Sequence, residues 1–173
     1  HLHYEVHVDG NIQSQGGLLI NVYANSHVGG NVQAENVGQV RVYPGTFVGG
    51  GIQVVDSGAA TVDGVEVDGN IQFESNDQTL VARDNTVGGN LQVFQNSDGG
   101  LTLTGNTIDG DLQANQNVGG LSITYNTIGE NLQCQANDPP PTGWENVVEG
   151  DMEDQGADFG GPAPFKLYLP VLS

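Results

Sequence analysis

The chain has 173 residues and a formal net charge of −18 at pH 7, because 21 acidic residues face only three Lys and Arg. Such a surface repels nucleic-acid backbones and anionic membranes, so the charge excludes both as expected partners. No apolar run reaches the length of about 18 residues that membrane insertion requires. A chain that starts at His1 rather than Met is typical of a processed protein, which predicts an extracellular or cell-surface location.

The first seven residues, 1–7, alternate between apolar and polar side chains. This pattern predicts an edge strand that precedes the rest of the fold and has nothing in it to block pairing with another chain. The apolar face, which we expect to contribute to a polymer interface, carries Leu2, Tyr4 and Val6. The polar face carries Glu5 and three histidines.

The histidines His1, His3 and His7 define a candidate metal site. A free amino terminus followed by a histidine at position 3 has the spacing that binds copper(II) in a square plane, and His7 would offer a further imidazole. The alternative interpretation, which we favour, is the solvated outer face of an end strand.

A short motif then recurs from residue 8 to residue 156, at intervals of 19 to 21 residues. Its copies are "VDGNIQS", "VGGNVQA", "VGGGIQV", "VDGNIQF", "VGGNLQV", "IDGDLQA", "IGENLQC" and a weaker "VEGDMED". Each unit reads as strand, turn and strand, and is too short to bury its own apolar face. The repeat therefore predicts an all-β, single-stranded parallel β-helix (β-solenoid) with about 20 residues per coil and seven to eight coils.

Aliphatic residues recur at fixed positions of every coil, which predicts a narrow core. One column runs Val8, Val28, Val48, Val67, Val87, Ile108, Ile128 and Val148, and another runs Ile12, Val32, Ile52, Ile71, Leu91, Leu112, Leu132 and Met152. Cys134, the only cysteine, falls in an inward position that other coils fill with small or apolar side chains. It is therefore predicted to be a buried thiol without a redox role.

Two columns of small or turn-forming residues predict the corners. Gly occupies the third motif position in all copies but one, which indicates crowding or a positive φ. A second corner in the left-handed conformation is predicted where Asn or Gly recurs just before each coil, at Asn25, Gly45, Gly64, Asn85, Asn106, Asn126 and Asn146.

Amide side chains form two further columns, which we predict to be stacking ladders. The glutamine ladder comprises Gln13, Gln33, Gln53, Gln72, Gln92, Gln113 and Gln133, and the asparagine ladder comprises Asn11, Asn31, Asn70, Asn90 and Asn131. Because Gln follows an inward aliphatic residue, simple alternation places it on the outer face. We interpret the glutamines as a solvated structural strip, with a ligand-binding strip as the alternative.

The C-terminal segment departs from the repeat. The stretch "NDPPPTGWEN" replaces the second strand of the seventh coil, and residues 157–173 form a tail whose apolar residues alternate: Phe165, Leu167, Leu169 and Val171. Pro170 restricts any strand there to a sheet edge or to its own end. The tail can cap its own chain or add a strand to a neighbour, so these residues complete the predicted polymer interface.

Acidic residues between Glu145 and Asp158 supply oxygen atoms that suit calcium. They lack the spacing of known calcium-binding loops, and a solvated acidic turn is the better interpretation. For enzymatic chemistry, Asp9, Asp68 and Asp109 share a motif position but lie on separate coils, and no nucleophile has a neighbouring base. We therefore predict that the chain is not an enzyme and that it needs no cofactor.

The recurring V-x-G-N-[ILV]-Q unit and the ending "ENLQCQANDPPPTG" resemble those of secreted bacterial parallel β-helix repeat proteins, over roughly residues 8–156. This resemblance implies a right-handed helix and an extracellular location. A looser similarity to bactofilins, which are polymer-forming β-helices, implies end-to-end stacking. Neither family supplies a catalytic motif.

These observations favour a structural role. We expect an extracellular filament or surface-fibre subunit that polymerises with itself, head to tail, by coil stacking and possible exchange of a C-terminal strand. The alternative is a monomeric secreted adhesin, or a module that binds glycans or a metal ion on its outer faces.

Overall fold

The computed structural model describes residues 5–97 and 99–162. In this part of the chain all regular structure is β, with three parallel sheets and no helix. Each coil passes once through every sheet and advances by about 20 residues, so the β-solenoid predicted from the repeat is confirmed.

Sheet A consists of eight two-residue strands. They are β1 (His7–Val8), β4 (His27–Val28), β7 (Phe47–Val48), β10 (Glu66–Val67), β13 (Thr86–Val87), β16 (Thr107–Ile108), β19 (Thr127–Ile128) and β22 (Val147–Val148). We number the coils by these strands, so that coil 1 begins at β1 and coil 8 at β22.

Sheet B also has eight strands, and sheet C has seven. Sheet B contains β2 (Ile12–Gln15), β5 (Val32–Glu35), β8 (Ile52–Val55), β11 (Ile71–Glu74), β14 (Leu91–Phe94), β17 (Leu112–Asn115), β20 (Leu132–Gln135) and β23 (Met152–Asp154). Sheet C contains β3 (Leu19–Val22), β6 (Gln39–Val42), β9 (Ala59–Asp63), β12 (Leu80–Arg83), β15 (Leu101–Thr104), β18 (Leu121–Thr124) and β21 (Thr142–Trp144). The described chain therefore forms seven complete coils and two strands of an eighth. The expectation that "NDPPPTGWEN" replaces the second strand of the seventh coil is wrong, because β21 lies within that stretch and pairs with β18.

The core follows the aliphatic columns. Val48, Ile71 and Leu91 each have a relative exposure of 0%, and each pairs in register with the aliphatic residue of the next coil. At the two ends, Ile12 and Met152 are only partly buried because each has a neighbouring coil on one side. Stacking of otherwise unstable units is the source of the core, as the repeat predicts.

The prediction for the second corner is right for the first three coils and wrong for the others. Asn25, Gly45 and Gly64 have positive φ values of 59°, 77° and 61°. In coils 4 to 7 the left-handed residue lies one position earlier, at Asp84, Gly105, Tyr125 and Glu145. The asparagines that follow these residues, Asn85, Asn106, Asn126 and Asn146, instead point inward and are buried. The left-handed residue thus lies three positions before the aliphatic residue of the next sheet A strand in every coil, and the predicted column was displaced from it by one residue in coils 4 to 7.

Candidate functional site

The outer glutamine ladder lies on sheet B and is interrupted twice. The side-chain amide of Gln92 donates to Gln113 Oε1 at 2.7 Å, and that of Gln113 donates to Gln133 Oε1 at 2.8 Å. Gln13 bonds to Gln33 and Gln53 bonds to Gln72 in the same way. Gln72 then donates to Glu74 Oε2 rather than to the next glutamine. The ladder is thus a set of short runs that hold neighbouring coils together.

The outer asparagine ladder works mainly through the backbone. Asn70 Oδ1 accepts the backbone N–H of Asn90 at 2.8 Å, and Asn90 Oδ1 accepts that of Asp111 at 2.9 Å. A Cβ on Gly89 would collide with Asn70 Oδ1, and Gly30 and Gly110 approach the ladder residue of the preceding coil in the same way, which explains these glycines as close approaches. Asn11, Asn31 and Asn131 act in the same way.

Two buried asparagine ladders were missed by the sequence analysis. The first contains Asn76, Asn96, Asn117 and Asn137, and the second contains Asn85, Asn106, Asn126 and Asn146. In both, each Oδ1 after that of the first member accepts two hydrogen bonds from the asparagine one coil earlier, at distances between 2.9 and 3.2 Å. Each Nδ2 also donates to a backbone carbonyl. Recurrence of Asn at 76, 96, 117 and 137 was the available signal.

The N-terminal end of the solenoid presents three strand edges. Within residues 5–97 and 99–162, β1, β2 and β3 each pair on one side only. The edges of β2 and β3 carry no charged residue. Beside them Leu18 is 89% exposed and Leu19 is 50% exposed. Uncharged strand edges with exposed leucines promote association with other strands.

The C-terminal end is closed on one of its three sides. Residues 155–161 turn back over β21, and the Phe159 ring covers Gly143, where a Cβ would collide with it. The Phe159 carbonyl accepts the Asn146 side-chain amide at 3.0 Å, and the Gln155 side-chain oxygen accepts that of Asn137 at 3.0 Å. The same turn therefore terminates both buried ladders with their donors satisfied.

Most of the predicted polymer-interface residues lie outside the described part of the chain. They are Leu2, Tyr4, Phe165, Leu167, Leu169 and Val171, together with the metal candidates His1 and His3. Val6 is described: it precedes β1, is 44% exposed, and donates its backbone N–H to Ser26 Oγ at 3.2 Å. It thus lies at the open N-terminal end.

His7 takes part in an aromatic stack on the outer face of sheet A. Its ring lies parallel to that of His27, with centroids 4.6 Å apart, and His27 stacks on Phe47 at 5.0 Å. His7 Nε2 is also 2.9 Å from Asp9 Oδ1. A second stack, between Tyr23 and Tyr43 at 6.2 Å, lies near the following corner. Aromatic side chains thus bridge the first coils on the outside, where the buried ladders are missing.

Cys134 is buried beside the terminal turn, 0% exposed. Burial and, to a smaller extent, the charge of Asp154 raise the pKa of its thiol to about 12. Among the described residues no three His, Cys, Asp or Glu side chains come together as a metal site, which includes the acidic residues between Glu145 and Asp158. Nor does this part of the chain contain a helix long and apolar enough to cross a membrane.

Comparison with known proteins yields no match to the chain among family models, curated proteins or solved structures. Its function therefore has to be inferred from the geometry of the coils and of their two ends.

Proposed function

We propose that the chain is a structural subunit, an extracellular rod that associates with other copies of itself into a filament or surface fibre. The observation that carries this proposal is the end of coil 1, where three largely uncharged strand edges have no partner among residues 5–97 and 99–162 and lie next to Leu18 and Leu19. A net charge of −18 keeps the sides of such rods apart in solution. Contact is then favoured at the ends.

The interior supports the same role. Most polar side chains that are buried hold one coil to the next, through the asparagine ladders, rather than lining a cavity. A solenoid with continuous ladders resists bending between coils, which suits a load-bearing rod. The outer glutamine and asparagine ladders add further contacts between coils, and their amide side chains form no catalytic arrangement.

The proposal is tested by the mass of the purified chain as a function of its concentration, measured by light scattering and negative-stain imaging. We expect multiples of 18.1 kDa that increase with concentration, and elongated particles. Leu19→Lys places a charge at the open edge and should weaken association, whereas Gln39→Lys, at the paired position one coil further in, should not. Particles of a single chain at every concentration would rule the proposal out.

The alternative, a monomeric adhesin or a module that binds glycans or a metal ion, is favoured by one feature. Gly51 interrupts the outer asparagine ladder, and the resulting depression is lined by amides that include Asn31, Gln33, Asn70 and Gln72. Binding of copper, calcium or a glycan to a chain that stays monomeric would support this second function instead, provided that Asn70→Ala abolishes the binding.

A further inference from the structure

The seven strands of sheet C leave one edge open at the N-terminal end of the rod. At its other end, β21 is covered by residues 155–161, and Gly161 accepts the backbone N–H of Glu145 at 2.7 Å. At the N-terminal end, β3 pairs only with β6 within the part of the chain that the structure describes. Among the described residues, β3 is thus an edge strand of sheet C with a partner on one side only.

The edge of β3 has hydrogen-bonding groups that lack partners among the described residues. In coil 3 the N–H of Ala59 donates to the carbonyl of Gly38 in the preceding coil at 3.2 Å, and Leu19 is the register equivalent of Ala59 in coil 1. The N–H of Leu19 therefore faces the open side. On the same strand, Asn21 Oδ1 is buried without a hydrogen-bond partner in the described part of the chain. An additional strand would supply partners here.

Residues 163–173 have the chemistry of such a strand. Pro164 and Pro170 enclose five residues, "FKLYL", and the strands of sheet C are three to five residues long. The segment contains no acidic residue, and Lys166 is one of only three Lys and Arg in the chain. It is therefore attracted to the acidic coils of another copy.

The segment cannot serve β3 of its own chain. Seven coil steps of about 4.8 Å separate coil 1 from coil 8, or about 34 Å. Eleven residues in full extension span about 36 to 40 Å. A segment that starts beside coil 8 would have to be almost fully extended to reach coil 1, and no residues would remain to pair with β3.

We propose that residues 165–169 of one copy pair as a strand with the open edge of β3 in a second copy. This inference rests on the proposed function, since it names the contact by which the rods associate. In this arrangement Leu167 extends one of the two inward columns of sheet C, which begin at Ile20 and Val22, and Lys166 faces outward. Each copy donates one segment and accepts one, so the association is head to tail and open-ended.

The test uses full-length variants that are blocked on one side only. Leu19→Lys blocks the receptor edge, and Leu167→Lys places a charge where the donated strand meets the core. Each variant alone should associate about tenfold more weakly than the unmodified chain. Mixed in equal amounts, they should form a dimer of twice the 18.1 kDa mass and nothing longer, because one intact edge and one intact segment remain.

Matched controls carry the same charge elsewhere: Gln39→Lys, in the paired position on β6, and Ser173→Lys, at the end of the segment. Both should associate as the unmodified chain does, and circular dichroism should show unchanged strand content and melting in all four variants. Undiminished association of Leu167→Lys, with loss in Leu19→Lys, would show that the edge binds a part of another copy other than residues 165–169, and would overturn the inference but not the proposed function. A lack of dimer on mixing would overturn it as well. An unmodified chain that never associates would overturn the proposed function itself.

Discussion

Coils 1 to 3 and coils 4 to 7 follow the same repeat but fill their corners differently. One inner corner position holds Ser26, Thr46 and Val65 in the first three coils and asparagine in the next four. The other holds Val37 and Ser57 before the run of asparagines from Asn76. A hydroxyl satisfies one or two backbone groups, whereas a buried asparagine within the ladder, such as Asn117, makes four side-chain hydrogen bonds across three coils.

The difference has a consequence for the ends of the rod. The C-terminal coils have continuous ladders that are terminated by Gln155 and Phe159. The N-terminal coils have external aromatic stacks and an unpaired edge. A repeat array is stabilised by its intrinsic units and by nearest-neighbour interfaces, so stability need not be uniform along it. We expect the first coils to open more readily than the last.

The largest effect should come from the buried ladder. In Asn117→Ala, the backbone N–H and side-chain amide of Asn96 lose their acceptor, and Val93 loses a donor. Leaving several buried groups unpaired should lower the free energy of unfolding by about 4 kcal/mol. Ser57→Ala, in the corresponding position of coil 3, leaves only the Val37 N–H and the Val55 carbonyl without that hydroxyl and should cost about 1 to 2 kcal/mol.

Urea unfolding of the two variants measures this difference. Hydrogen exchange should also show faster exchange spreading through coils 5 to 7 in Asn117→Ala and confined to coils 2 and 3 in Ser57→Ala. Equal losses of stability in the two variants would remove the distinction between the two parts of the rod.

A smaller effect is expected from the terminal turn. Phe159→Ala removes a ring that is 8% exposed and lies against Gly143 at the end of the core, which should destabilise the chain by about 3 kcal/mol. Leu18→Ala, at the other end, changes a side chain that is 89% exposed and should shift stability by less than about 0.5 kcal/mol. Thermal melting checks both values, and a cost for Leu18→Ala as large as that for Phe159→Ala would show that the N-terminal end is covered.

The coil path and the core were predictable because the aliphatic columns repeat with one period, and they are buried only when successive coils stack in register. Val87 and Leu91, for example, occupy the expected inward positions at 0% exposure. The buried asparagines were not predicted, since Asn is typical of both left-handed corners and side-chain ladders, and one residue of displacement separates the two roles. Asn25 has the expected positive φ, whereas at Asn85 it is the preceding Asp84 that takes the left-handed conformation.

The terminal turn was predicted only as one of two alternatives for the tail. Nothing in the repeat pattern specifies that Phe159 occupies the space above Gly143. Phe159 follows the last repeat, and Gly143 lies in the stretch "NDPPPTGWEN", which departs from the repeat. Irregular segments of this kind depend on shape complementarity with the last coil rather than on periodicity. The open edge of β3, by contrast, follows from the position of coil 1 in the array.

The smallest effect concerns Cys134, which lies under the terminal turn. Its folded pKa of about 12 exceeds the ordinary thiol value of 9.0 because burial disfavours the thiolate. Between pH 9 and 12 the unfolded chain therefore binds fewer protons than the folded chain, and stability must fall as pH rises. The slope from this group approaches about 1.4 kcal/mol per pH unit. Cys134→Ala should remove this pH dependence. Alanine already occupies the equivalent inward position of two other coils, at Ala34 and Ala114.

A thiol placed in coil 1 allows the burial of the two ends of the rod to be compared directly. Ser14 occupies the equivalent inward slot of coil 1 but is only partly buried. With Ser14→Cys introduced beside Cys134→Ala, the new thiol should ionise closer to its ordinary range, so the alkaline loss of stability attributable to it should be smaller. Unfolding free energies measured at pH 9 and pH 10 give both slopes. Equal slopes at the two positions would mean that coil 1 is as well enclosed as coil 7, which would contradict the open edge on which self-association depends.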